Sequence, residues 1–247
     1  MPAFQAAVER WGADMLELDV RLSRDGVVVI IHDETVDRTS DGRGPVGSFT
    51  FQELQTLDAG SRFVDPEGVA SFRGKGVRFP RLDELLETLP AMRLNVEAKE
   101  PQVARPLVEL IRRHRAEERV LVAAESERCR RSVRGYPGPW GASREQLLPF
   151  WLMHRLPGGS PYTPAADVLQ VPETWKGLRI VTPSFVQAAH ARNLPVQVWT
   201  VDDPDDMRRL LAMGVDGIQS DRPDLLAGVL TEVAGRPPAP ATEMEAP

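Results

Sequence analysis

The sequence has few of the features that would tie a protein to an oxidising compartment, a membrane or a nucleic acid. Cys129 is the one cysteine among 247 residues, so the chain cannot form an internal disulfide. No apolar run reaches the roughly 18 residues of a membrane span, and no signal peptide opens the sequence. The net charge of −6, with Lys and Arg scattered among acidic residues, provides no basic stripe. We therefore expect a cytoplasmic protein with no transmembrane segment and no nucleic-acid partner.

The apolar content is sufficient for one large hydrophobic core. Hydrophobic residues make up 42% of the chain, which is ordinary for a globular protein of one barrel-sized domain or two small ones. We predict a single domain over residues 1–233. Residues 234–247 are rich in proline, so we predict a disordered tail there. The sequence does not determine the oligomeric state.

Residues 11–33 contain the first candidate for chemistry. Apolar residues alternate with Glu17 and Asp19 in a period of two, which predicts a strand with both carboxylates on one face, about 7 Å apart. A short turn near Asp25 leads to the apolar run 27–31, and so short a connection requires an antiparallel hairpin. Counting from that turn places His32 opposite Asp19. Two carboxylates with an imidazole beside them form a candidate catalytic centre.

A second strand is predicted at 93–98, where Glu97 and Lys99 share a face. In a buried barrel mouth this pair would offer a metal ligand and a phosphate partner. Each pattern also has an ordinary structural explanation. An edge hairpin with solvated acids would give the same alternation as the Glu17 strand. Glu97 and Lys99, two residues apart on one strand, would form a simple ion pair of the kind common on exposed sheets.

Strands and helices alternate along most of the chain, which indicates a parallel α/β fold. A TIM-type barrel needs eight parallel strands, whereas seven are predicted. The chain opens in a helix at 2–10, so we expect the first strand of a TIM-type (β/α)8 barrel to be missing before Met1. A long excursion at about 34–80 is expected to form a small insertion after the hairpin. The predicted strands lie at 14–20, 93–98, 119–124, 140–143, 167–171, 195–200 and 215–220.

Two long segments resemble one known family. GADMLELDVRLSRDGVVVIIHDETVDRTSDGRG resembles a signature of the glycerophosphodiester phosphodiesterase family, within the PLC-like phosphodiesterase superfamily. The strand at 94–99 resembles that family's glutamate-lysine strand, and VQVWTVDDPDDMRRLLAMGVDGIQSDRPDLL resembles its carboxy-terminal signature. The likeness extends over residues 1 to about 230 and is weakest between 125 and 165. It implies hydrolysis of glycerophosphodiesters, such as deacylated phospholipids, to sn-glycerol 3-phosphate and an alcohol.

The resemblance also implies roles for single residues. Glu17, Asp19 and Glu97 would hold one divalent cation, and ligation by oxygen alone suits Mg²⁺ or Ca²⁺ better than zinc. His32 would be one of two histidines used for acid and base chemistry, since imidazole exchanges protons near neutral pH. Lys99 would meet a phosphate oxygen, and Trp199 would line the glycerol pocket.

The sequence departs from the family pattern at its start. Members of the family carry a first strand that ends in His-Arg-Gly, followed by a Pro-Glu-Asn-Thr turn, and neither is present here. An internal Met taken as the start would explain this, and about 20 to 35 further residues would complete the barrel. Any signal peptide would then lie in the missing part, which leaves the compartment open. The alternative is a truncated, non-catalytic relative that binds metal and phosphodiester without turnover.

Two other possibilities are disfavoured. One is that another histidine replaces the absent histidine of the His-Arg-Gly strand, and the other is that the chain is an unrelated barrel enzyme. His114, His154 and His190 do not lie at predicted strand ends, so surface or packing roles are expected for them. An unrelated barrel enzyme such as an isomerase would carry its phosphate site after strands seven and eight. The strand at 215–220 is followed by no Gly-rich phosphate cradle.

Overall fold

A computed structural model gives the fold and describes residues 1–65, 67–156 and 161–241. Contacts between Cα atoms divide the chain into two compact units. Unit 1 comprises Met1–Glu17 and Pro139–Pro247, and unit 2 comprises Leu18–Gly138. The boundary falls inside a single continuous strand, β1 (Met15–Leu22). In the described ranges no helix is both long enough and apolar enough to cross a membrane.

Unit 2 is built on a four-stranded sheet with the strand order β2-β1-β3-β4. Along β1, buried side chains alternate with more exposed ones, because only one face of that strand packs on the core. All four residues of β4 are buried, as expected of a strand covered on both faces. The strands of this sheet are β1 (Met15–Leu22), β2 (Val28–Ile30), β3 (Arg93–Ala98) and β4 (Val120–Ala123).

The hairpin of β1 and β2 is antiparallel, which confirms the predicted connection. Its register differs from the prediction by one residue. Ile31 N donates to the Asp19 carbonyl oxygen at 2.9 Å, so Ile31 and not His32 lies opposite Asp19. The physical reason is the length of the loop. Ser23 N donates to Val27 O at 3.0 Å, which closes a loop of three residues, whereas His32 opposite Asp19 would need a loop with an even number of residues.

The segment predicted as an insertion packs on the hairpin. Buried apolar side chains from β2 and from the segment after it form one cluster, namely Val29, Ile31, Val36, Val46, Leu54 and Phe79. A 3-10 turn at Val46–Ser48 leads to the short helix α2 (Phe51–Leu54). Thr50 and Glu53 cap that helix reciprocally, which fixes where it begins.

The helices of unit 2 after the insertion follow their apolar spacing. They are α3 (Leu82–Thr88), α4 (Ala104–Arg113), preceded by a 3-10 turn at Pro101–Val103, and α5 (Glu127–Ser132). The buried residues of α4 recur at helical spacing, and the opposite face carries its charges. β3 and β4 pair in parallel across α4, as in a βα unit.

Unit 1 contains the three-stranded sheet β5-β8-β9, whose two pairings are both parallel. Its strands are β5 (Leu169–Pro172), β8 (Val196–Trp199) and β9 (Gly217–Ile218). Its helices are α1 (Pro2–Glu9), α6 (Arg144–Met153), α7 (Pro183–His190), α8 (Pro204–Ala212) and α9 (Pro223–Ala234). Phe150 and Phe185 are fully buried at the centre of this unit's core and meet edge to face at 5.5 Å between ring centroids.

The strand predicted at 140–143 is present as a single parallel bridge between Gly141 and Val168. Ser143 is already the N-cap of α6, with Gln146 completing a capping box, so the extended backbone ends there. The two-stranded hairpin of β6 (Thr174–Trp175) and β7 (Leu178–Arg179) was not predicted. Both residues of its turn, Lys176 and Gly177, have positive φ, which a tight hairpin turn requires.

The parallel pairings confirm an α/β architecture. The closed eight-stranded barrel and the single domain at 1–233 stay predictions. The disordered tail at 234–247 likewise stays a prediction, although two contacts of the described part are defined. Arg236 forms an ion pair with Asp14 at 2.7 Å, and Ala239 and Ala241 are buried. Residues 242–247 lie outside the described part of the chain.

Candidate active site

Three carboxylates converge on β1 and β3, which are neighbouring strands of the four-stranded sheet. Glu17 and Asp19 lie two residues apart on β1, and Glu97 lies on the adjacent strand β3. One carboxylate oxygen from each of the three lies within 4.8 Å of the others. The convergence follows from the sequence, because the period of two puts the β1 acids on one face and the sheet brings β3 beside them.

The donor set fits a hard divalent cation. Mg²⁺ binds oxygen at about 2.1 Å and Ca²⁺ at about 2.3 to 2.6 Å, so two ligand oxygens on opposite sides of the ion are separated by roughly 4 to 5 Å. Separations within 4.8 Å satisfy that condition. Three carboxylates carry no sulfur or nitrogen donor, which disfavours a zinc-type site.

Lys99 lies directly on this carboxylate cluster. Its Nζ atom is 2.9 Å from Asp19 Oδ1 and 3.0 Å from Glu97 Oε2, and its side chain is only 16% exposed. Burial by itself lowers the pKa of Lys99. The charges and hydrogen bonds of Glu97 and Asp19 more than offset that effect, so the pKa of Lys99 lies above its ordinary value of 10.5. The ion pair that the sequence left open is therefore present, and it involves two of the three candidate ligands.

Lys99 is also connected to β1 through the main chain. Lys99 N donates to Val20 O at 3.3 Å, and Glu100 Oε1 accepts a hydrogen bond from Leu22 N at 2.9 Å. These two bonds fix the end of β3 against β1. The carboxyl-terminal end of β3 thus holds Glu97 and Lys99 at a set position relative to Asp19.

His32 follows β2 and is largely exposed, with 63% of its side chain accessible. Its main chain is held by Arg21 of β1, whose Nε atom donates to the His32 carbonyl oxygen at 3.0 Å. Its ring nitrogen Nδ1 lies 2.8 Å from Asp33 Oδ1. Asp33 in turn accepts two hydrogen bonds from Arg38. Arg38 Nε donates to Oδ2 at 2.6 Å, and Arg38 Nη2 donates to Oδ1 at 3.1 Å.

Asp33 and Arg38 were missed by sequence reasoning. The only signal available was the adjacency of a histidine and an aspartate, with an arginine five residues later in a loop, and that pattern has no fixed geometry. The hydrogen bond from Arg38 lowers the pKa of Asp33 to about 2, and the contact with His32 acts in the same direction. Asp33 is therefore an ionised acceptor at neutral pH.

The remaining predicted residues lie elsewhere. Trp199 ends β8 in unit 1 and is 42% exposed, and its role in a glycerol pocket stays a prediction. His154 is buried against Phe185, which agrees with a packing role. His190 pairs with Asp216 at 2.7 Å on the surface of unit 1.

Comparison with known proteins gives a consistent result. The family model described as the glycerophosphoryl diester phosphodiesterase family matches residues 1–134 and 145–225. The chain is 36% identical over 236 residues to a Mycobacterium tuberculosis protein named probable glycerophosphodiester phosphodiesterase 2, covering 93% of this chain and 84% of the relative.

Solved structures show the same likeness. The crystal structure of glycerophosphodiester phosphodiesterase from Agrobacterium tumefaciens matches with a TM-score of 0.71 and 29% identity, over 91% of this chain and 90% of that one. A phosphodiesterase from Oleispira antarctica, solved in complex with the product sn-glycerol-3-phosphate, matches with a TM-score of 0.72 over 92% and 88%. Its identity of 23% makes it a match of fold.

Proposed function

The chain belongs to the glycerophosphoryl diester phosphodiesterase family, and from that premise we propose that it hydrolyses glycerophosphodiesters to sn-glycerol 3-phosphate and an alcohol. The observation that carries the proposal is the convergence of Glu17, Asp19 and Glu97 beside Lys99. The product named for the Oleispira antarctica phosphodiesterase is the product proposed here. In this hydrolysis water adds to phosphorus, the bond from phosphorus to the leaving alcohol oxygen breaks, and that oxygen gains a proton.

Glu17, Asp19 and Glu97 would hold one Mg²⁺ or Ca²⁺ ion. When bound, the cation would polarise the phosphoryl oxygens and stabilise negative charge on them. Lys99 contacts Asp19 through Oδ1 and Glu97 through Oε2, and each of these carboxylates has a second oxygen to offer the ion. A cation would therefore bind the same two side chains that contact Lys99.

Lys99 and His32 would act on the substrate itself. Lys99 presents a positive charge that meets a non-bridging phosphate oxygen and stabilises the charge that develops on it. His32 would transfer a proton to or from a reacting oxygen, which fits its exposed imidazole on an anchored main chain. Trp199 would contact the glycerol carbons, and the support for this is its exposed indole at the end of β8.

The test is release of glycerol 3-phosphate from glycerophosphocholine or glycerophosphoethanolamine by the purified chain, with Mg²⁺ or Ca²⁺ and with chelator. We expect product only with a divalent cation, and loss of product in Glu97→Gln and in His32→Ala. Glu109→Gln is the matched control, because Glu109 pairs with Arg105 on the exposed face of α4. Activity that survives both site changes contradicts the assignment. Cation binding by calorimetry without any product would instead favour a binding protein without turnover.

A further inference from the structure

His32, Asp33 and Arg38 form a connected chain of hydrogen bonds next to β2. Asp33 Oδ1 lies 2.8 Å from His32 Nδ1, and the guanidinium of Arg38 contacts both oxygens of Asp33, at 2.6 Å and 3.1 Å. The Asp33 side chain is 25% exposed, whereas those of His32 and Arg38 are 63% and 65% exposed. The carboxylate thus lies between the imidazole of His32 and the guanidinium of Arg38 and is the least accessible of the three groups.

The charge state of Asp33 decides which nitrogen of His32 carries a proton. With its pKa lowered to about 2 by the hydrogen bond from Arg38, Asp33 is ionised at neutral pH and can only accept hydrogen bonds. A nitrogen 2.8 Å from such an acceptor must carry a hydrogen, so Nδ1 is protonated in both the neutral and the charged imidazole. Nε2 is then the atom at which His32 gains and loses its proton.

The main chain and the ring of His32 are held by different partners. Arg21, on the face of β1 that also carries Asp19, donates to the His32 carbonyl oxygen. Asp33 holds the ring at Nδ1. Two fixed points leave the ring little rotational freedom, so Nε2 has a defined direction in spite of the exposure of the side chain.

We propose that Asp33, held by Arg38, is a positioning residue that fixes the Nδ1–H tautomer of His32 and presents Nε2 to the reacting oxygen. The proposal adds two residues, Asp33 and Arg38, to the proposed function and rests on it for the reacting oxygen. The tautomer itself is a property of the protein without substrate.

The primary test measures the tautomer by long-range ¹H–¹⁵N spectra of the imidazole nitrogens at alkaline pH, where histidine is neutral. His32→Gln identifies the signals that belong to His32. We expect Nδ1–H in the wild-type protein, whereas free neutral imidazole side chains favour Nε2–H. A wild-type His32 with its proton on Nε2 overturns the proposal and needs no variant that might misfold.

Asp33→Asn is the variant that tests the positioning role of Asp33 most directly. Arg38 approaches Oδ2 more closely than Oδ1, so the asparagine oxygen will face Arg38 Nε and its amide nitrogen will face His32 Nδ1. An amide donor at that position turns Nδ1 into an acceptor, and we expect the tautomer to invert to Nε2–H. Asp37→Asn is the matched control, because Asp37 accepts from Gly44 N in the same loop at 2.9 Å. An unchanged tautomer in Asp33→Asn overturns the proposal.

Turnover provides the second readout. We expect Asp33→Asn to lower kcat about ten- to hundredfold while KM changes less than about threefold, and Asp33→Glu to restore part of the loss. A purely structural role for Asp33 would change stability and leave the tautomer as it is. If the wild-type chain shows no turnover, the proposed function fails and the tautomer measurement still decides the positioning role.

Discussion

Lys99 Nζ lies 2.9 Å from Asp19 Oδ1, which places a positive charge on a carboxylate that is also a candidate metal ligand. The same nitrogen lies 3.0 Å from Glu97 Oε2, so two negative charges share one ammonium. A divalent cation bound by these carboxylates would repel Lys99 at short range. We therefore expect cation affinity and phosphate binding to be coupled through this side chain.

The first prediction concerns Lys99→Met. Removing the ammonium takes a positive charge away from Asp19 and Glu97, so we expect cation affinity to rise by at least about tenfold, or about 1.4 kcal/mol. We expect turnover to fall at the same time, since the phosphate loses its positive partner. Calorimetric titration with Mg²⁺ and Ca²⁺ measures the first effect, and Lys75→Met, at an exposed position of the insertion, is the control. Weaker or unchanged cation binding would contradict the coupling.

The second prediction concerns Trp199. If its exposed indole packs on the glycerol part of the substrate, Trp199→Ala should raise KM about tenfold or more with a smaller change in kcat, because the lost contact binds substrate and transition state alike. Steady-state kinetics with glycerophosphocholine measures the split. Trp175→Ala is the matched control, since Trp175 is equally exposed at 42% in the β6–β7 hairpin. An equal rise of KM in both variants would remove Trp199 from the site.

The third prediction concerns stability at acid pH. The pKa of Asp33 is lowered from 3.8 to about 2, chiefly by the hydrogen bond from Arg38. The lowered pKa contributes stability that is complete above about pH 4 and is lost as the pH falls towards 2. Solvent screening limits this contribution to at most about 1 kcal/mol.

Urea unfolding of the wild-type protein and of Asp33→Asn at neutral pH and between pH 4 and pH 2.5 tests this account. We expect the variant to be less stable at neutral pH and the difference to shrink as Asp33 becomes protonated in the wild-type protein. A difference that stays constant over that range would show that Asp33 stabilises the fold by packing and not by its charge.

The fourth prediction concerns the buried His154. Its Nδ1 atom lies 2.6 Å from the Trp151 carbonyl oxygen, and its Nε2 atom has no hydrogen-bond partner among the described residues. Burial lowers the pKa of His154 from 6.5, and the charge of Arg155 acts in the same direction. As the pH falls below 6.5, the unfolded chain takes up a proton that the folded chain resists, so His154 reduces stability there.

The free energy of unfolding should therefore fall less between pH 7.5 and pH 5.5 in His154→Leu than in the wild-type protein, as measured by urea unfolding. Leucine is an apolar side chain of similar size, and the rings of Phe150 and Phe185 lie 6.4 Å and 5.5 Å from the His154 ring, so an apolar replacement suits these neighbours. His114→Asn, at the end of α4, is the matched histidine control. A pH dependence identical in His154→Leu and in the wild-type protein would contradict the burial argument.

Most of the secondary structure follows from local patterns in the sequence. The period of two in β1, the run of helical spacing in α4 and the proline at the first turn of α7 and of α8 each determine their elements. The prediction was wrong where a single residue decides the outcome. The hairpin register depends on whether the loop has an odd or an even number of residues. The hydrophobic pattern alone does not determine that number.

The candidate site was predictable in part. Strand periodicity placed Glu17 and Asp19 on one face and made Glu97 a candidate ligand on a second strand. The family resemblance joined the three as ligands of one cation, and the structure places them together. The double contact of Lys99 was not predicted, because it depends on how β3 lies against β1. The contact between Asp33 and Arg38 could not be predicted for a similar reason. A loop without periodicity gives no indication of which side chains meet.

The most direct test of the account is a crystal structure of the protein grown with Mn²⁺, which takes the oxygen ligands of Mg²⁺ and can be located by its anomalous scattering. We predict one anomalous peak within coordinating distance of Glu17, Asp19 and Glu97, with Lys99 displaced from at least one of its two carboxylate contacts. Saturating Mn²⁺ with no peak at these three carboxylates, and with Lys99 still on Asp19 and Glu97, would contradict the metal site on which the proposed function depends.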